Sequence, residues 1–177
     1  GVTIENNENN KSPKDESEFK VVINGKITVQ KNPEVINRVA EYFESDSSIT
    51  FNWIGDGELK NVLDTNNINV LGWCSKEEVF DQLETADLYL SASLWEGLPL
   101  SVIEAMSFKL PLVLSNCPGN VDLVENGTNG YIFDTEKQAI NSIKELKGNP
   151  EKKKLMSNNS QRMYKMYDNY RCAKEYR

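Results

Sequence analysis

The chain has 177 residues, 38% of them hydrophobic and 27% charged, a balance that suits one soluble domain with a sizeable core. Twenty basic against 27 acidic residues leave a formal net charge of -7, which argues against nucleic acid as a partner and means that any phosphate ligand must meet a local basic cluster. Histidine is absent and the three cysteines, Cys74, Cys117 and Cys172, lack CxxC spacing, so the chain alone cannot build a Ser-His-Asp or Cys-His nucleophile, and its composition argues against a zinc site or disulfide framework and fits a reducing cytoplasm.

Residues 1–17 are rich in Asn, Glu, Lys and Ser, with no apolar residue after Ile4, and a disordered linker or truncated junction is expected there, ahead of a folded domain over 18–177. Residues 20–23 read as a first strand, closed by the turn-like Asn24-Gly25. A helix follows with Asn32 as N-cap, Pro33 at its first position and Val35, Ile36, Val39, Ala40 and Phe43 as its apolar stripe. Residues 50–54 form a second strand, then Gly55-Asp56-Gly57 and a short helix over 58–63. Residues 69–72 are a third strand, and Ser75-Lys76-Glu77-Glu78 is a capping box opening a helix with Val79, Phe80 and Leu83 inward. A fourth strand at 88–90 leads to a helix from Pro99 to about Phe108, and a fifth at 112–114 to a short helix over 121–125. A sixth strand at 131–133 and helices over 138–146 and from Pro150 to about Tyr167 complete the chain.

Strand and helix alternate with short connections, which implies an α/β, Rossmann-like, doubly wound parallel sheet of about six strands. Ligands of such sheets bind beyond the carboxyl ends of the strands, where the strand order reverses. The candidate loops are therefore 25–31, 55–57, 72–75, 91–99 and 115–120. No apolar run is long enough to span a membrane and no signal peptide is apparent, so a cytoplasmic domain is expected.

The richest stretch runs from Ser93 to Met106. Pro99 sets a helix start, leaving Glu96 in the preceding loop and Glu104 in the second turn, with the free N–H groups of residues 97–102 between them as an anion site. Glu104 sits in the apolar run Val102-Ile103-Glu104-Ala105-Met106, where a carboxylate needs hydrogen-bond partners such as the two hydroxyls of a ribose. The plainer alternative is that Glu96 closes a capping box with Ser93 and Glu104 is solvated. Lys26 and Lys31 bracket the loop after the first strand, next to a helix N-terminus, where they could hold a diphosphate or simply be surface lysines. Gly55-Asp56-Gly57 lacks the third glycine of a dinucleotide fingerprint, since Lys60 stands there. The tail residues Met163, Tyr164, Met166, Tyr167, Tyr170 and Tyr176 either pack on the domain or await a partner domain.

Glu96 to Glu104 makes a Glu-x7-Glu motif. In order around it stand Trp53-Ile54-Gly55-Asp56-Gly57, Leu71-Gly72-Trp73, Ala86-Asp87-Leu88-Tyr89-Leu90 and Glu125-Asn126-Gly127-Thr128-Asn129-Gly130-Tyr131. From about Phe19 to its end the chain thereby resembles the C-terminal, donor-binding half of family 4 (group 1) glycosyltransferases, retaining enzymes of the GT-B fold. The resemblance implies that Glu104 binds the nucleotide ribose, that Glu96 lies at the donor sugar, and that Lys26 and Lys31 neutralise the departing diphosphate. It counts Gly25, Gly55, Gly72, Trp73, Cys74, Gly97 and Leu98 to the donor site, with 72–74 beside the nucleobase and the amides of Gly97 and Leu98 near sugar and phosphate. Two departures stand out: Lys26 replaces an arginine, which weakens bidentate phosphate contact, and Ser107-Phe108-Lys109 replaces small residues.

The implied activity is metal-independent transfer, with retention, from a UDP-sugar or GDP-sugar to a polysaccharide or glycolipid acceptor in capsule or lipopolysaccharide assembly, with no cofactor. The implied partner is a missing N-terminal acceptor-binding domain, without which the chain is expected to be inactive. Peripheral association of the full protein with the inner membrane face is also implied. The alternative is a nucleotide-sugar-binding module without transfer activity. A sugar-nucleotide epimerase is disfavoured by the absence of histidine, and an NAD-dependent enzyme by Lys60.

Overall fold

The computed structural model describes Asp15 and residues 17–175, so most of the expected linker over 1–17, and Tyr176 of the tail, lie outside the described residues. Six strands, β1 (Phe19–Asn24), β2 (Ile49–Ile54), β3 (Ile68–Gly72), β4 (Leu88–Ser91), β5 (Leu112–Ser115) and β6 (Gly130–Phe133), pair in the order β3-β2-β1-β4-β5-β6, every pair parallel. Five α-helices connect and close the sheet: α1 (Pro33–Tyr42), α2 (Lys76–Thr85), α3 (Leu100–Ser107), α4 (Glu136–Gly148) and α5 (Pro150–Glu175). This is the doubly wound, Rossmann-like sheet expected from the alternation of strand and helix.

The central strands carry apolar runs, Val21-Val22-Ile23, Leu88-Tyr89-Leu90 and Leu112-Val113-Leu114, because both of their faces are covered. Val21 and Ile23 point into one core layer with Leu88, Leu90 and Val113, where Ile36 and Val39 of α1 and Ile143 of α4 meet them. Val22, Tyr89, Leu112 and Leu114 point the other way, against Leu83 of α2 and Val102, Ile103 and Met106 of α3. Each such branched side chain contributes roughly 1.5–3 kcal/mol by leaving water. Helix α5 spans both layers, with Met156 in the first and Met163, Tyr164 and Tyr167 packed against the second.

Two expectations are corrected, and a third, Asn32 as N-cap, holds without the side-chain hydrogen bond of a cap. No helix forms over 121–125, where the chain runs in turns: buried Asn129 accepts the Glu125 N–H and donates to the Leu123 carbonyl, taking groups that a helix would use. Residues 58–63 shorten to one 3-10 turn, Lys60–Val62. Asn32 caps α1 in a left-handed conformation, at φ 51°, without a side-chain hydrogen bond. The Ser75 capping box forms as read, the Ser75 hydroxyl accepting from the Glu78 N–H while the Glu78 carboxylate accepts from the Ser75 N–H.

Candidate functional site

The strand order reverses between β1 and β4, so the loops leaving these two strands part around a crevice at the carboxyl edge of the sheet. Gln30 joins them twice. Its carbonyl accepts the Leu94 N–H at 2.9 Å and its side-chain amide donates to the Trp95 carbonyl at 2.9 Å. The neighbouring loops are knitted on by backbone bonds, from the Gly25 N–H to the Ile54 carbonyl and from the Gly55 N–H to the Gly72 carbonyl, while the Trp53 indole N–H donates to the Gly25 carbonyl. Gly55 has φ 137° and a Cβ there would lie 2.2 Å from the Gly25 carbonyl oxygen, so only glycine lets these two loops approach. Gly25, Gly55 and Gly72 thus form one continuous backbone floor.

Lys31 and Glu96 are 65 positions apart and meet in the crevice, Lys31 Nζ donating to Glu96 Oε1 at 2.5 Å. Their side chains are only 18% and 8% exposed. Ser93 Oγ donates to the same Glu96 oxygen at 2.6 Å, and Ser91 Oγ lies 3.1 Å from Ser93 Oγ. The Ser93 carbonyl accepts from the Ser115 hydroxyl, to which buried Asn120 also donates. On the other flank the Glu96 N–H donates to the Pro118 carbonyl, and Gly119, at φ 90°, passes so near that a Cβ would lie 2.9 Å from Glu96 Cβ. The capping-box alternative for Ser93 and Glu96 is not what forms: the serine hydroxyl bonds the glutamate side chain itself, and α3 begins only at Leu100, with Pro99 as its cap.

Glu104 lies in the second turn of α3 and is half-buried. Burial raises its pKa, and the charge of Lys76, the first residue of α2 after the loop that leaves β3, opposes that rise. That loop exposes Trp73, at 72%, and half-buries Cys74, whose thiol donates to the Gly72 carbonyl. Burial, then the charge of Glu78, raises the Cys74 pKa. Between the two glutamates, the Tyr89 hydroxyl donates to Ser101 Oγ. Burial drives its pKa upward, Ser101 works against this, and the charges of Glu96 and Glu104 add to the rise. Gly97 and Leu98 are exposed in the loop ahead of α3, and their N–H groups have no backbone acceptor among the described residues. Lys26 stands exposed at the rim, without an ion pair among the described residues.

The structure therefore brings Lys31 and Glu96 into contact, half-buries Glu104 in α3 within the field of Lys76, and leaves Lys26 and Trp73 facing solvent. Sequence reasoning placed Gln30, Ser115, Gly119 and Asn120 in the candidate loops 25–31 and 115–120 without giving any of them a role, because their roles arise only where loops from different strands touch. Its one available signal was Ser91-x-Ser93-x-x-Glu96. A cleft of about 600 Å³ opens behind the β4 loop, between the starts of α1 and α4, lined by Asn32, Ser93, Asn116, Phe133 and Asp134.

A family model described as glycosyl transferases group 1 matches residues 4–163. The chain is 34% identical over 122 residues to the UDP-Gal:alpha-D-GlcNAc-diphosphoundecaprenol alpha-1,3-galactosyltransferase of Escherichia coli, an alignment covering 62% of this chain and 31% of that protein. It is 28% identical over 159 residues to the alpha-monoglucosyldiacylglycerol synthase of Acholeplasma laidlawii, covering 85% of this chain and 40% of that one. The chain thus spans less than half the length of these relatives. Among solved structures, an S. aureus TarM mutant in complex with Fondaparinux, alpha-GlcNAc-glycerol and UDP superposes with a TM-score of 0.76 at 25% identity, over 83% of this chain and 32% of that one. The catalytic domain of cholesterol-alpha-glucosyltransferase from Helicobacter pylori shares the fold, with a TM-score of 0.75 at 18% identity over 84% of this chain and 98% of that one.

Proposed function

Because the chain belongs to the group 1 glycosyl transferases, we propose that it is the donor-binding part of a retaining transferase, passing sugar from a nucleoside-diphosphate sugar to a saccharide or lipid-linked acceptor. The observation that carries this reading is the contact of Lys31 with Glu96 at the β1/β4 crevice, which sets a cation and a hydroxyl-binding carboxylate side by side. Glu104 takes the ribose hydroxyls and the 72–74 segment lies along the base. Gly97 and Leu98 offer N–H groups to the sugar and phosphate, over the floor of Gly25, Gly55 and Gly72. Lys31 and Lys26 meet the charge that gathers on the diphosphate as the bond from the anomeric carbon to the phosphate oxygen breaks. The acceptor oxygen then bonds to that carbon on the same face, and its proton passes to the leaving phosphate. With lysines and helix-start amides supplying the positive charge, the transfer runs without a metal ion.

The acceptor and the rest of the active site come from a separate N-terminal domain, which accords with the chain covering 31% and 40% of the two relatives. No helix among the described residues is long and apolar enough to cross a membrane. Names of both relatives include a lipid-linked or lipid species, which supports peripheral contact of the whole protein with the inner membrane face. UDP is the first nucleotide to test, since the TarM complex contains it.

Calorimetric titration of the chain with UDP, GDP, ADP and NAD tests the reading. One nucleoside diphosphate is expected to bind saturably, and Glu104→Ala to weaken it by roughly 10- to 100-fold, the worth of hydrogen bonds to a charged group. Binding of NAD alone overturns the assignment.

A further inference from the structure

We propose that Ser93 is a positioning residue for the donor sugar, acting through Glu96. This rests on the donor-site reading and names a residue that the reading does not use. Lys31 and Ser93 share one oxygen of Glu96, Oε1, while Oε2 has no donor among the described residues. The two donors are not equivalent. Lys31 is the cation placed to neutralise phosphate, so a bound donor draws its ammonium toward the diphosphate and away from the carboxylate. The Ser93 hydroxyl has no such second employment. Ser93 is 1% exposed, its Oγ is flanked by Ser91 Oγ at 3.1 Å, and its carbonyl is fixed by the Ser115 hydroxyl at 2.6 Å. Asn120, fully buried, fastens Ser115 in turn through both the Ser115 carbonyl and hydroxyl, each at 3.2 Å.

A hydroxyl anchored this firmly keeps Glu96 Oε1 in place once the lysine has turned to phosphate. Oε2, which has no donor among the described residues, is then left free to accept from a sugar hydroxyl. Without it, the carboxylate of the occupied site rotates, and the sugar meets an acceptor that must be reordered at each encounter. The role concerns the sugar and leaves the nucleotide alone.

Two measurements decide it. The first compares UDP with UDP-glucose and UDP-galactose, titrated calorimetrically into the wild-type chain and Ser93→Ala. Whichever UDP-sugar the wild type binds is expected to lose about tenfold in affinity, as befits one lost hydrogen bond to a charged group, while UDP itself changes by less than about twofold. An equal loss for UDP and UDP-sugar, or no loss for either, overturns the proposal. The second needs no nucleotide: crystal structures of Lys31→Ala and of Lys31→Ala with Ser93→Ala. Glu96 is expected to keep its side-chain rotamer in the first and to leave it in the second. Departure already in Lys31→Ala, or retention in both, assigns the positioning elsewhere and overturns the proposal. If the wild type binds none of these nucleotides, the donor reading with UDP falls, and the crystallographic pair still decides what holds Glu96.

Discussion

Glu96 and Glu104 are both carboxylates beside one crevice, yet their surroundings set them apart. Glu96 has two donors on one oxygen, whereas Glu104 is half-buried, its pKa raised chiefly by burial. A carboxyl whose folded pKa lies above its unfolded value burdens the fold when ionised, and the burden lifts as the pH falls through the folded value. Glu104→Gln is therefore expected to melt about 1–2 °C above wild type near pH 7.5 without nucleotide, after allowance for solvent screening. That gap closes as the pH drops below the ordinary glutamate range, and thermal melts across pH check it. Glu96, Glu104 and Lys31 were singled out through the family resemblance, whereas residue type and spacing alone left a capping box, a solvated glutamate and a surface lysine open. Ser93 was legible only as a cap, since Ser-x-x-Glu is also a helix-start pattern. Gly119 and Asn120 were illegible because their partners, Glu96 and Ser115, lie across loop contacts that no local period encodes.

Helix α3 carries Glu104 and ends in an unusual way. Phe108 caps it and Lys109 follows at φ 62°, with the Lys109 N–H donating to the Met106 carbonyl and the Leu110 N–H to that of Ala105. This is a Schellman end with a lysine at the position glycine favours. Lys109→Gly removes the left-handed strain but loosens the unfolded chain, and a net stabilisation of about 0.5–1 kcal/mol is expected. Urea denaturation measures it as a higher midpoint with an unchanged slope. The sequence had marked 107–109 as a departure without giving its conformation, because a positive φ is chosen by the turn and not by the lysine. Most strands and helices were legible from their runs and stripes. The helix expected at 121–125 was lost to the hydrogen bonds of Asn129. Helix α5 overran its expected end near Tyr167 because its last turns are exposed, and a periodic apolar signal stops where packing stops.

Across the whole molecule, burial grades the three free thiols: Cys172 is exposed, Cys74 half-buried and Cys117 buried, with burial raising the pKa of the latter two. Iodoacetamide followed by peptide mass spectrometry is expected to find Cys172 alkylated first, Cys74 slowly, and Cys117 only on unfolding. Saturating nucleotide is expected to slow Cys74 alone. The tail's aromatics divide as neither expectation alone foresaw: Met163, Tyr164 and Tyr167 pack on the domain, while Met166 and Tyr170 are exposed. Apolar surface is also exposed around the crevice, at Val29, Trp73, Leu94, Trp95, Leu98 and Leu100. The gathering of these loops on one edge was legible from the alternation of strand and helix, but the exposure of their apolar side chains was not, because hydrophobicity alone does not say which residues find a partner.

The pairing of β1 with β4 has a consequence for how the chain assembles. Strands β1-β2-β3 and β4-β5-β6 are two wings, each joined through consecutive connections, whereas the seam between the wings pairs Val21 with Leu88 across a far longer stretch of chain. Gln30 with Leu94 and Trp95, and Lys31 with Glu96, all cross that seam. A chain with both wings formed and the seam open has no crevice at all. Closing the long loop and creating the site are one event, and a ligand lodged there acts as a rivet, holding the two wings in register against local opening.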